Sequence, residues 1–168
     1  MTDIVLRAIS YAAQRHHGQM RKDRTTPYVA HPMRVLLNVL REFGETDPDT
    51  LAAAALHDTI EDTNTDFDDL RKEFNETVAG YAALLTKDKR MAEEPREDAY
   101  FAGLASAPRA VRLCKIADTL DNLRDARAGD GDLKKTLGKA ERLFRIYGAD
   151  GDAGVRGALE ILRAEAKK

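Results

Sequence analysis

The sequence has little that would cross-link the chain covalently or anchor it in a membrane. Its 168 residues contain one cysteine, Cys114, and no tryptophan. A single cysteine forms no internal disulfide, which favours a reducing compartment. No segment approaches the roughly 20 consecutive apolar residues that a bilayer-spanning helix needs, and the first residues form no apolar signal region. We therefore expect a cytoplasmic protein with no membrane partner.

A large excess of charge of either sign is also missing. Lysine and arginine number 27 against 29 aspartates and glutamates, so the formal net charge is −2. No broad basic surface is expected to attract a nucleic-acid backbone, and we expect no nucleic-acid partner. An anionic ligand would need a local group of cations. The length, without repeats or linkers, predicts one domain over residues 1–168.

Apolar residues recur at helical spacing through nearly the whole chain, and strand alternation is almost missing. Thr2 or Asp3 is suited to cap the first helix. Residues 18–30 form a predicted loop, and the stretch TLAAAALHDTIED, residues 50–62, belongs to one predicted helix. The pattern predicts an all-α fold of roughly eight helices.

Several acids cluster at the end of that predicted helix, in LHDTIEDT. Negative charge at a helix carboxyl terminus is unfavourable because the helix dipole is negative there. On a continuous helix, His57 lies over Glu61 and Asp58 over Asp62, since residues four apart share a face. A divalent metal would compensate the charge, and imidazole with carboxylate is a normal ligand mixture. Alone, such a stretch is more often solvated surface.

Two further stretches favour the metal interpretation. His31 stands at the start of an apolar helix in YVAHPMRV, although a lone histidine there is usually structural. In KIADTLDNLRD, a polar helix face contains Asp118, Asp121, Asn122 and Asp125. A solvated face explains the later acids, but it does not explain why Asp118 follows a strongly apolar run.

Five motifs occur in a fixed order between about Arg15 and Asp125: RHHGQMRK, TPYVAHP, AALHDTIEDT, LTKDK and KIADTLDNLRD. Together they resemble the HD-domain hydrolases of the Rel/Spo alarmone family, in particular the small stand-alone members without a synthetase. The resemblance implies an HD-domain helical bundle. It also implies an enzyme that removes the 3′-diphosphate from guanosine 3′,5′-bis(diphosphate), ppGpp, or from pppGpp, to give GDP or GTP and pyrophosphate.

The resemblance also assigns the chemistry of the site. It implies one divalent ion, Mn²⁺, with four ligands: His31, His57, Asp58 and Asp118. Two further acids, Glu61 and Asp62, match the pair that positions and deprotonates the attacking water. Such an ion lowers the pKa of water and neutralises charge on the phosphate, while a nearby carboxylate accepts the proton.

The small-molecule substrate, a guanosine polyphosphate, is anionic. By resemblance the substrate-binding residues are Arg21, Lys22, Lys89, Asn122 and Asp125. Lys87 and Arg90 are alternatives to Lys89. The small hydrolases also have an arginine and a tyrosine one turn apart after the last motif. Here DLKKTLGKAERLFRIYG has no clear matching tyrosine, and its candidates are Lys135 with Lys139 or Arg142.

Two alternatives stay open at this level. The first is an HD phosphohydrolase acting on another nucleotide, such as NADPH, because a metal site recognises phosphate generically. The second is a non-catalytic module that binds alarmone, against which the presence of both Glu61 and Asp62 argues. The sequence leaves the oligomeric state open.

Overall fold

The computed structural model describes residues 3–129 and 131–168, and it is all-α. Ten α-helices follow one another: α1 Asp3–Arg15, α2 Ala30–Leu37, α3 Pro48–Leu56, α4 Thr59–Asp62, α5 Phe67–Glu73, α6 Glu76–Leu85, α7 Glu93–Ala105, α8 Arg109–Arg127, α9 Leu133–Tyr147 and α10 Ala153–Ala166. A π-helical turn, Asn38–Glu42, extends α2. The described residues form no strand, which confirms the predicted fold class. Thr2, offered as a helix cap, lies outside them.

Helices α3 and α8 form the centre of the bundle. Helix α3 is buried from Thr50 to Leu56, and its four consecutive alanines let α1, α2 and α6 pack closely against it. Helix α8 packs against α2, α3, α6, α9 and α10. Cys114 is fully buried on this helix. No helix of the described chain is both long and apolar enough to span a membrane.

Local capping fixes where several helices begin. The carboxylate of Asp47 accepts the backbone N–H of Thr50 at the start of α3. Asn75, Asp132 and Asp152 play the same part for α6, α9 and α10. Each such cap stabilises its helix by about 1 kcal/mol. These contacts hold α3 and α9, which both contribute to the site.

The prediction of one continuous helix over residues 50–62 is wrong. Helix α3 ends at Leu56, and His57 and Asp58 form a turn before the short helix α4. The Thr59 hydroxyl donates to the carbonyl oxygen of Leu56 (2.6 Å), which satisfies one of the last carbonyls of α3. The stacking expected on a single helix is therefore replaced by a turn, and this turn directs His57 and Asp58 towards α2 and α8.

Candidate metal centre and active site

Three separate elements bring the four predicted ligands together. His31 comes from the first turn of α2, His57 and Asp58 from the turn after α3, and Asp118 from the middle of α8. The ligand atoms of His31, His57 and Asp118 all lie within 4.8 Å of one another. Asp58 Oδ2 lies 3.6 Å from His31 Nε2 and 3.2 Å from His57 Nε2. Residues far apart in sequence thus converge on one point.

The hydrogen bonds of the two imidazoles direct their Nε2 atoms to that point. His31 Nδ1 lies 2.7 Å from Asp121 Oδ2, and His57 Nδ1 lies 2.9 Å from the carbonyl oxygen of Ala54. Because both partners are acceptors, each Nδ1 donates, and a neutral ring then presents a lone pair on Nε2. His57 Nε2 is buried and has no hydrogen-bond partner among the described residues. This donor set fits a divalent cation.

Asp121 is a site residue to which the sequence assigned no role. It is 2% exposed, and besides His31 it binds Arg34, whose Nε and one terminal nitrogen lie 2.7 and 2.9 Å from its two carboxylate oxygens. Arg34 therefore holds the Asp121 carboxylate ionised and fixed against the His31 ring. A carboxylate on the outer nitrogen of a ligating histidine fixes its tautomer and orientation.

Replacing Asp121 with asparagine should weaken divalent-metal binding by about 10- to 100-fold. The amide keeps the shape of the side chain but loses the charge that Arg34 and His31 share. Calorimetric titration of metal-free protein with Mn²⁺ measures the effect. Glu42→Gln is the matched control, because this acid pairs with Arg124 on the surface. Equal affinities in wild type and Asp121→Asn would contradict the role given to Asp121.

Without an ion, protons on the imidazoles balance the acids. Burial disfavours the imidazolium, but hydrogen bonds with Asp118 and Asp121 outweigh it and raise the pKa of His31 to about 9. Burial would likewise lower the pKa of His57, but the neighbouring Asp58 carboxylate outweighs burial and raises it. Against the effect of its own burial, the pKa of Asp58 is lowered by the neighbouring His57. His31 is therefore charged at neutral pH when no ion is bound, and it pairs with Asp118 and Asp121.

These shifts predict that metal binding releases protons. His31 is protonated below its raised pKa of about 9, and only the deprotonated ring binds an ion. Apparent affinity should therefore rise by about tenfold per pH unit for each proton displaced, between pH 6 and 8. Calorimetry in buffers of different ionisation enthalpy counts the released protons. An affinity that is flat across this range would contradict the protonation state described.

Glu61 and Asp62 lie beside the four converging residues. Both line a cavity of about 150 Å³, together with His31, His57 and Asp118. Burial, together with the charge of Asp58, raises the pKa of Glu61, while its Oε2 accepts the backbone N–H of Lys87 at 3.1 Å. A carboxylate with a raised pKa is a stronger base towards water.

The sequence analysis missed two residues that hold acids of the site, Tyr28 and Lys115. The Tyr28 hydroxyl lies 2.6 Å from Asp58 Oδ2 and 3.1 Å from Asp62 Oδ2. Lys115 Nζ lies 2.6 Å from Asp118 Oδ2, and both are almost fully buried. Tyr28 belongs to the TPYVAHP motif, and Lys115 stands one helical turn before Asp118. These positions could have indicated a role in the site, but the sequence alone does not show that either side chain points towards the metal ligands.

The predicted substrate-binding residues form two groups. Asn122 donates to Asp118 Oδ1, and Arg21 bridges Asn122 (3.2 Å) and Asp125 (2.7 Å). These three therefore lie together at the rim of the site. Lys22 lines a neighbouring cavity of about 210 Å³, which shares Asp118 and Asn122 with the first.

Lys89 lies beside Glu61 and Asp62. Its Nζ is 2.6 Å from Asp62 Oδ1 and 2.7 Å from the carbonyl oxygen of Glu61. Its side chain is 54% exposed, so it is open to solvent and to a ligand. The structure thus places Lys89 against Glu61 and Asp62, the two acids expected to position and deprotonate the water. Its contact with the substrate stays a prediction.

The three candidates for the unmatched arginine and tyrosine occupy different positions. Lys139 lines both cavities. Lys135 lines only the second and pairs with Glu93, while Arg142 pairs with Asp98 at 2.8 Å. Of these candidates, only Lys139 faces both the predicted metal ligands and the second cavity.

Comparison with known proteins identifies relatives of this chain among nucleotide pyrophosphohydrolases. The chain is 38% identical over 123 residues to the guanosine-3′,5′-bis(diphosphate) 3′-pyrophosphohydrolase MESH1 of Xenopus tropicalis, which covers 73% of this chain and 69% of that protein. The human MESH1 is 38% identical over 122 residues, covering 72% and 68%. The resemblance inferred from the five motifs is confirmed.

Solved structures agree with the fold. A metazoan ortholog of SpoT, a protein that hydrolyses ppGpp, superposes with a TM-score of 0.85 at 31% identity, over 98% of this chain and 96% of that one. A Listeria monocytogenes protein at 20% identity shares the fold with a TM-score of 0.68, over 89% of this chain and all of that one. An HD domain model matches residues 8–149. The three buried ligand candidates and this match indicate a divalent-metal site, and the chain belongs to the HD-domain family.

Proposed function

We propose that this protein is a metal-dependent phosphohydrolase that removes the 3′-diphosphate of ppGpp or pppGpp, giving GDP or GTP and pyrophosphate. The observation that carries this is the convergence of two imidazole Nε2 atoms and the Asp118 carboxylate beside Glu61 in one polar cavity. The names of the relatives support the choice of substrate. In this proposal the metal ligands are His31, His57, Asp58 and Asp118.

A bound divalent ion supplies positive charge that acidifies water and stabilises charge developing on the phosphate. Glu61 accepts a proton from the attacking water, and Asp62, held by Tyr28 and Lys89, orients that water. The water oxygen bonds to the phosphorus attached to O3′, and the bond between that phosphorus and O3′ breaks. The ribose 3′-oxygen takes up a proton, and pyrophosphate leaves with its bridging oxygen intact.

Lys115 has a separate part in this mechanism. Burial disfavours its charge, but Asp118 outweighs burial and raises the pKa of Lys115. The ammonium therefore stays charged and keeps the Asp118 carboxylate ionised, with Oδ2 on the lysine and Oδ1 turned towards His31 and His57. This arrangement presents one oxygen of Asp118 for coordination.

Three finer points belong to the same proposal. The ion is Mn²⁺, which accepts mixed imidazole and carboxylate ligation. Residues 1–168 form one domain. The protein acts in the cytoplasm, which fits a single cysteine that is buried and reduced.

A nucleotide panel tests the substrate. Protein loaded with Mn²⁺ is incubated with ppGpp, pppGpp and NADPH, and released pyrophosphate and phosphate are measured separately, with metal-stripped protein as control. We expect pyrophosphate from the two guanosine nucleotides and none from stripped protein. Release of phosphate from NADPH without turnover of ppGpp would replace the proposed substrate. Binding of ppGpp without any turnover would make the chain a binding module.

A further inference from the structure

Three lysines line the cavity of about 150 Å³ that contains Glu61, Asp62 and the predicted metal ligands, which we call the catalytic cavity. Lys87 follows α6, Lys115 lies on α8 and Lys139 on α9, and all three line the cavity. The Nζ atoms of Lys87 and Lys115 lie 5.2 and 5.1 Å from the centre of the Tyr100 ring. This places positive charge close to the predicted metal ligands, on the side towards α7 and α9.

Two of these lysines are neutralised and one is not. Lys87 pairs with Glu97 at 2.7 Å, and Lys115 pairs with Asp118 at 2.6 Å. Within residues 3–129 and 131–168, the Lys139 ammonium has no ion pair and no side-chain hydrogen bond. Burial, with the charges of Lys115 and Lys87, outweighs the opposing charges of Asp118 and Glu97 and lowers the pKa of Lys139 to about 8. A half-buried ammonium that faces like charges without a partner is unfavourable unless a ligand supplies the anion.

The position of Lys139 suits a second phosphate group. It lies where the catalytic cavity meets the neighbouring one, and the second cavity adds Lys22, Thr119 and Thr136 to its lining. The terminal phosphate of a diphosphate shares a bridging oxygen with the phosphate under attack, so it stays close to the same wall. An ammonium there would form a charge-assisted hydrogen bond with it.

We propose that Lys139 anchors the terminal phosphate of the diphosphate that is released, and thereby makes the site prefer a diphosphate to a monophosphate. This rests on the proposed function for the identity of the substrate. The anion subsite itself depends only on the position and the unpaired charge of Lys139. Lys87 and Lys115, already paired, contribute the surrounding positive field.

The subsite is tested with pyrophosphate and inorganic phosphate as probes. Calorimetry with Mn²⁺-loaded protein, free of excess metal, compares wild type with Lys139→Met, Lys139→Gln and Lys139→Arg. We expect pyrophosphate to bind wild type more tightly than phosphate does. Lys139→Met and Lys139→Gln should lose about tenfold or more of the affinity for pyrophosphate. Phosphate affinity should change much less, and Lys139→Arg should restore most of the loss.

Lys134→Met is the matched control, because Lys134 is an exposed lysine on the same helix. Equal pyrophosphate affinity in wild type and both neutral variants would overturn the proposal, as would an equal loss in the control. Wild type that does not distinguish pyrophosphate from phosphate would also overturn it. Circular dichroism verifies that each variant is folded.

Turnover separates this proposal from the proposed function. With ppGpp as substrate, Lys139→Met should raise KM by about tenfold and change kcat less, since the contact forms in the ground state as well. Absence of ppGpp turnover in wild type, with the loss of pyrophosphate affinity still seen, would end the proposed substrate and keep the subsite. Normal ppGpp turnover with an unchanged KM in Lys139→Met would end the proposed subsite and keep the proposed substrate.

Discussion

Replacing Glu61 with glutamine will lower kcat by about 10²- to 10⁴-fold and leave the bound ion in place. Glutamine has nearly the same shape but accepts no proton from water. Glu61 lies beside the ligand cluster without belonging to it. The backbone N–H of Lys87, which donates to the Glu61 carboxylate, still finds an acceptor in the amide oxygen of glutamine. Steady-state kinetics with ppGpp and metal analysis of the same sample give the two readings.

The control for Glu61→Gln is Glu94→Gln, an exposed acid in the first turn of α7. It should match wild type in both readings. Full activity in Glu61→Gln would remove the role of general base from Glu61. Loss of the ion together with activity would instead make Glu61 part of the metal site.

Replacing His57 with glutamine should release the ion and reduce activity by at least about 10³-fold. The Nε2 atom of His57 is buried and lies 3.2 Å from Asp58 Oδ2, so the neutral ring offers its lone pair to an ion beside that carboxylate, and substitution removes it. The contribution of a metal ion to transition-state stabilisation is several kcal/mol, and about 4 kcal/mol corresponds to 10³-fold in rate. Metal content by mass spectrometry and turnover of ppGpp measure the outcome.

Because His57 is buried, its variant must also be shown to fold. His17→Gln is the matched control, since His17 is an exposed histidine in the loop after α1. Thermal unfolding of both variants without metal identifies any general loss of stability. Stoichiometric Mn²⁺ in a folded His57→Gln protein would contradict the place given to His57.

Local patterns were sufficient for the fold class, whereas the ligand candidates came from motifs that resemble a known family. Helical periodicity predicted an all-α chain because helices such as α1, α9 and α10 each bury one apolar stripe. His31, His57 and Asp118 were chosen as polar residues next to apolar runs, in motifs that resemble a known family. Such residues must point into the bundle, and the structure places their ligand atoms within 4.8 Å of one another.

Contacts between distant elements were beyond those patterns. The break after Leu56 depends on hydrogen bonds of His57 and Thr59 to the last carbonyls of α3, which compete with continued helix. The role of Asp121 depends on Arg34, 87 positions away. Lys139 is one of several lysines in its helix, and only packing against α7 and α8 distinguishes it. These features follow from tertiary neighbours, which periodicity does not report.

The central claim is that one divalent ion binds where α2, α8 and the turn after α3 meet. Crystals of the protein loaded with Mn²⁺, measured with X-rays at the manganese absorption edge, test it most directly. We expect one strong anomalous peak within coordination distance of His31 Nε2, His57 Nε2 and an oxygen of Asp118. A peak elsewhere, or a fully loaded protein without a peak between these atoms, would contradict the claim.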